Sequence, residues 1–148
     1  MLRKLRKNAG VAILALLVAG LFLSRRISGP GGGGDPFDPS DFHDAPIVSA
    51  DAASGMLGQR AVVCGRVAAV TFAVNVGGQP TFINLERPFP DQAFDAVIWG
   101  RDRAHWEVAP EQLYDGSEIC VAGRVRAHDG VPRIEVRVPA QIRFGPLP

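Results

Sequence analysis

Two stretches of this chain, VVCGRV at 62–67 and ICVAGRV at 119–125, make the same demand on the backbone. In the first, Val63, Gly65 and Val67 fall on one side of an extended chain, and Cys64 and Arg66 on the other. In the second, Ile119, Val121, Gly123 and Val125 share a side, while Cys120, Arg124 and the following Arg126 take the opposite one. Apolar residues recurring every second position mark a strand with one buried face. A glycine within such a strand marks a bend or a close approach of another backbone. The repeat therefore reads as two strands under one packing requirement, not as a duplicated active-site motif.

The rest of the folded region has the same texture of short β-rich runs between turn signals. Residues 49–57 are alanine-rich, with Ser49 as a candidate N-cap and Gly58 as a stop, and predict a short entry helix. A long strand follows at 61–73, then a turn at 75–78. The next strand, 81–85, turns Ile83 and Leu85 inward and Phe82 and Asn84 outward. A third strand runs from 94 to 99 and closes at Gly100. The alternation breaks over 103–114, which reads as one short helix or two turns ended near Gly116, with Trp106 as its core anchor. The fourth strand covers 118–126. An Asp129-Gly130 turn feeds the fifth, in which Ile134, Val136 and Val138 alternate with Arg133, Glu135 and Arg137.

The N-terminus differs in kind. Six of the 16 basic residues precede Ser28, and all 15 acidic residues follow it. Between the basic ends, residues 9–23 are apolar or small, and as a helix would span roughly 22 Å against a hydrocarbon core of about 30 Å. Snorkelling of Arg25 and Arg26 covers the difference. Residues 1–27 are thus expected to be a basic N-terminus and single-pass anchor, crossing the lipid bilayer through residues 9–23. The alternative is a signal peptide, cleaved near Val18-Ala19-Gly20 to release a secreted domain. Four basic residues before the run against two after it place the N-terminus in the cytoplasm and the domain outside, in the periplasm. Residues 28–46, dense in glycine, proline and aspartate, read as a flexible linker. They contain no phosphate-loop signature, since no GK[ST] follows the glycines. Residues 47–145 form the folded domain.

The order of three strands, a helix and two strands over about 90 residues is that of the five-stranded OB barrel. Beyond layout, MLGQRAVVCGRV, PTFINLERPFP, FDAVIWGRDR and YDGSEICVAGRVRAHDGVPRIEV resemble small bacterial OB-fold proteins of the nucleic-acid-binding superfamily. The resemblance spans residues 47 to about 144 and leaves out the anchor and linker. It implies a binding module rather than an enzyme. In OB barrels the first and fourth strands are neighbours, which brings Cys64 and Cys120 within reach of each other on the outer face. Strand register decides between a disulfide, favoured outside the cytoplasm, and two packed thiols.

Chemistry is sparse otherwise. There is no CxxC, no matching set among His43, His105 and His128, no GxSxG and no HExxH. Asp95, Asp102 and Glu107 read as solvated charges. No catalytic residue, metal or cofactor is expected. OB proteins commonly bind across the second and third strands between flanking loops. That face offers Phe82, Asn84 and Trp99, with Arg101, Arg103, Arg126 and Arg133 nearby and His128 in the facing loop. Rings beside guanidinium groups suit single-stranded nucleic acid. From residue 45 onward, ten arginines meet eleven acids, so no basic field supports long-range attraction. Two functions follow: a membrane-anchored module for single-stranded nucleic acid, or an extracytoplasmic accessory subunit docking on a membrane protein complex. Convergence of the arginines beside Trp99 favours the first, and their dispersal into ion pairs favours the second.

Overall fold

The computed structural model describes Phe37 and residues 40–146. The expected anchor and most of the linker lie outside these residues. Among the described residues, no helix is long and apolar enough to cross a membrane. The described chain is mainly β, with eight strands and few helices. In order these are α1 (Asp41–Asp44), β1 (Ile47–Ser49), β2 (Arg60–Phe72), β3 (Thr81–Leu85), β4 (Phe94–Ile98), α2 (Pro110–Tyr114), β5 (Glu118–Arg124), β6 (Arg126–His128), β7 (Val131–Glu135) and β8 (Ile142–Phe144). Three short 3-10 segments intervene at Ala50–Met56, Gly100–His105 and Pro139–Gln141.

The strands pair in the order β6-β7-β4-β3-β2-β5-β8, and β1 runs parallel to β2. Besides β1, the thirteen residues of β2 serve two further neighbours. Its first half pairs with β5 and, after an irregularity between Val67 and Ala69, its second half pairs with β3. A bulge bends a strand and increases its twist, which lets one strand turn from one sheet into the next. Strands β4 and β7 pair in parallel. Only Val125 separates β5 from β6, so the stretch 118–128 meets β2 at one end and β7 at the other.

Gly123 stands where that stretch crosses the core. A Cβ there would lie 2.7 Å from the Ile134 side chain, which is itself buried. The glycine of ICVAGRV is therefore set by close packing. Apart from half-buried Val138, the inward sets read from parity form one core: Val63, Val67, Ile83, Leu85, Ile119, Val121, Val125, Ile134 and Val136 all belong to it. Trp106 and Tyr114 close one side of this core, the indole Nε1–H donating to the Tyr114 hydroxyl at 2.9 Å.

Burial raises the pKa of Tyr114 above its ordinary value of 10.0, and the bond from Trp106 pulls it partly back. A raised folded-state value means the protonated phenol is the form the fold favours. Its contribution is complete below the unfolded value near 10 and is lost as pH rises through the higher folded one. Denaturant midpoints should therefore be flat from pH 8 to 10 and fall above it. Tyr114→Phe should be less stable at pH 8, because Trp106 loses its acceptor, and should lose part of the alkaline decline.

Several expected boundaries shift. The entry helix is a 3-10 segment preceded by β1, and Ser49 makes no side-chain cap. The break at 103–114 resolves into a 3-10 turn and α2, with Trp106 after the former. The fifth strand starts at Val131 and ends at Glu135.

The outer face of β2 and β5 also differs from expectation. Cys64 and Cys120 are direct Cα partners, 4.0 Å apart, and are joined as a disulfide. They are buried with Val62, Ala122 and Phe42 in a second, smaller cluster instead of facing solvent. The cover comes from the end of the presumed linker. Asp41 is buried and accepts two bonds from the Arg60 guanidinium. Phe42 lies beneath the Arg143 guanidinium, 3.7 Å from the ring centroid, and packs edge-on to Phe37. Residues 40–46 thus belong to the folded unit. Two apolar rings, one carboxylate and a buried outer face give that segment a place to dock, which a uniformly polar linker would lack.

Candidate binding groove

A groove of about 490 Å³ opens across β3 and β4. One wall is the loop after β3, carrying Phe89 and Pro90, and the other is the β6–β7 turn with His128 and Asp129. That turn has positive φ at Asp129 (49°) and Gly130 (81°), the conformation that Asp-Gly pairs favour in tight hairpins. The turn chemistry visible in the sequence therefore sets this wall.

The floor is a polar network. Asn84 and Asp95 are Cα partners on β3 and β4, and Asp95 and Arg133 are partners on β4 and β7. Asn84 Nδ2 donates to Asp95 Oδ1 at 2.7 Å. Arg133 and Gln92 donate to Asp95 Oδ2 at 3.3 and 3.4 Å. Three donors on one buried carboxylate hold three strands in register. The Arg133 guanidinium also sits over the Phe82 ring, 5.5 Å from its centroid. The ring of Phe89 is 77% exposed at the rim.

The eight predicted site residues do not gather in one place. Phe82, Asn84, His128 and Arg133 line this groove. Trp99 and Arg101 line a separate shallow cleft with Gly78 and Gln79. The Trp99 ring lies so close to Gly78 that a Cβ there would come within 3.0 Å, so the indole packs on the loop between β2 and β3. Arg101 pairs with the adjacent Asp102 at 3.5 Å. Arg103 is bidentate to Glu111 at 3.0 and 3.2 Å, bonds the Thr81 hydroxyl and covers the Phe72 ring. Arg126 lies in a further cleft beside Phe37, Arg137 and Glu135.

Two expectations are corrected here. Asp95 is no solvated strand-edge charge, being 2% exposed, and Asn84, though of outward parity, is 3% exposed. Strand β4 is buried along its whole length, Val97 included. The signal was present in FDAVIW, which is apolar on both parities apart from the aspartate, the pattern of a strand covered on both faces. The groove residues that sequence reasoning passed over, Phe89, Gln92 and Asp129, sit in loops whose proximity only the fold establishes.

No family model and no curated protein matches the chain. Among solved structures it is similar to a "putative aspartyl-tRNA synthetase" from Leishmania major Friedlin, at 13% identity and a TM-score of 0.44, covering 78% of this chain and 24% of that one. It is also similar to the OBody AM1L10 bound to hen egg-white lysozyme, at 16% identity and a TM-score of 0.37, over 61% of this chain and 81% of that one. A third is a "putative nucleic acid-binding lipoprotein" from Klebsiella pneumoniae subsp. pneumoniae, at 15% identity and a TM-score of 0.45, over 75% of this chain and 99% of that one. The chain thus spans about a quarter of the synthetase. At these identities and TM-scores the likenesses decide neither fold nor ligand.

Proposed function

We propose that the folded unit is an OB-type barrel that binds without catalysis, and that its ligand is an extended segment of a partner polypeptide lying in the groove across β3 and β4. The barrel reading is supported by the order β7-β4-β3-β2-β5, by the parallel β4–β7 pair and by the stretch 118–128 that joins the two ends of that path. The basic and apolar composition of residues 1–27 supports a bilayer anchor with the domain on the extracytoplasmic side. The protein would then be an accessory subunit of a membrane complex.

One observation carries the choice of polypeptide: the arginines expected to meet phosphates are spread over separate sites, and Arg101, Arg103 and Arg133 each face a carboxylate. From residue 40 onward, ten arginines against thirteen acidic residues leave a formal charge of −3. Nucleic-acid affinity rests largely on cations that neutralise phosphates. A second reading, single-stranded nucleic acid, draws on the ring faces of Phe82 and Phe89, on which bases could stack.

Titrating the compact unit 33–148 with labelled single-stranded DNA and RNA at low and moderate salt separates the two. The polypeptide reading expects no saturable binding at low salt. It also expects Phe89→Ala to weaken a peptide ligand about tenfold, the loss of one well-placed anchor. Stability should stay within about 0.5 kcal/mol for so exposed a ring. Trp99→Ala with Arg101→Ala should leave peptide binding unchanged. Saturable nucleic-acid binding abolished by Phe89→Ala would reverse the choice.

A further inference from the structure

The charged side chains lining the groove are unevenly balanced. Arg133 and Asp95 answer each other at the floor, 3.3 Å apart. Asp129 stands at the mouth with its side chain 93% exposed, and its neighbour there is His128, whose Nε2 lies 3.5 Å from Oδ2. With histidine neutral, the groove carries one net negative charge. Its walls also hold two phenyl rings. The Phe82 ring already has a guanidinium over it from within the protein, while the Phe89 ring projects into solvent. A ring face attracts cations through its quadrupole, and an adjacent carboxylate adds to that attraction. The same charge repels a phosphate or a carboxylate.

We propose that the groove recognises a basic side chain, arginine or lysine, of the partner polypeptide, with the cation between the Phe89 ring and the Asp129 carboxylate. The inference rests on the polypeptide reading and narrows it. A volume of about 490 Å³ leaves room for such a side chain together with its flanking backbone. Arginine fits the pattern the protein uses elsewhere, since Arg103 and Arg143 stack on Phe72 and Phe42 at 3.9 and 3.7 Å.

The test uses the full chain in detergent and fluorescein-labelled nonapeptides of one alanine, valine and serine background. The central residue is arginine, lysine, citrulline or glutamate, and binding is read by anisotropy. Arginine and lysine peptides should bind at least tenfold more tightly than the citrulline peptide, and the glutamate peptide should bind weakest. Asp129→Asn should reduce the preference to about twofold or less. Asparagine keeps the turn, because it also accepts positive φ, so folding is not in question for this variant. Moderate salt should shrink the preference for a site so exposed. Equal binding of arginine and citrulline peptides, with Phe89→Ala weakening both, would overturn the inference and leave the polypeptide reading standing. Tighter binding of the glutamate peptide would also overturn it. If no peptide binding responds to Phe89→Ala, or a single-stranded oligonucleotide displaces the arginine peptide, the polypeptide reading falls as well.

Discussion

Replacing both cysteines, Cys64→Ala with Cys120→Ala, is expected to lower the free energy of unfolding by about 4 kcal/mol. The bond closes a loop of 56 residues, and the chain-entropy relation for a loop of that length gives a figure of this size. For a unit of about 110 residues the midpoint of thermal unfolding should fall by roughly 15–20 °C. Reducing the wild-type protein should produce a similar change. The cost has a second part, because both sulfurs are buried beneath Phe42, and alanines would leave that small cluster underfilled. Differential scanning calorimetry with and without reductant reads the effect. A fall below about 1 kcal/mol, together with two thiols titratable in the native state, would mean that the pair packs as free cysteines.

Asp95→Ala is expected to cost about 3–5 kcal/mol, the range for removing one partner of a buried ion pair. Its side chain is 3% exposed and that of Arg133 is 11%. Deleting the carboxylate strands a guanidinium in the groove floor and takes the acceptor from Asn84 and Gln92 as well. The companion variant is Asp95→Leu with Arg133→Met, which removes both charges and should recover most of the loss. Urea midpoints of the three proteins supply the comparison. If Asp95→Ala and the double variant are equally unstable, the cost lies in packing and the ion pair is incidental. Groove binding should suffer in both, because Arg133 also covers one face of Phe82.

Much of the fold could be read from alternation alone. Strand β3 runs from Thr81 to Leu85, where Ile83 and Leu85 were expected to point inward, because a clean period of two leaves few alternatives. The facing of Cys64 and Cys120 was readable as parity, while their pairing required the register of β2 on β5. Strands β1 and β8, three residues each, carry too short a pattern to register. The candidate site was less legible for a physical reason. Outward parity says that a side chain leaves the core, and says nothing of what covers it afterwards. Asn84 and Asp95 left the core and were buried by a loop and a third strand. Trp99 left it and packed on Gly78. An arginine's partner depends on contacts distant in sequence, as Arg133 and Asp95 illustrate.

The strap of residues 40–46 and the disulfide beneath it also define a path for mechanical load. A pull applied from the N-terminal side of the folded unit first meets the Asp41–Arg60 clasp and the Phe42 ring, then the parallel pairing of β1 on β2. Beyond Cys64 the force passes across the sulfur bridge to Cys120, 56 positions further along the chain, and the residues between them carry none of it. That covalent bypass withholds roughly 190 Å of chain from extension. Strands β3 and β4 and the Phe89 loop lie inside the bypass, whereas Arg133 and the His128–Asp129 turn lie outside it. A load passed between the two ends of the folded unit would therefore be borne by the strap and by the segment after Cys120, while the floor strands stay folded.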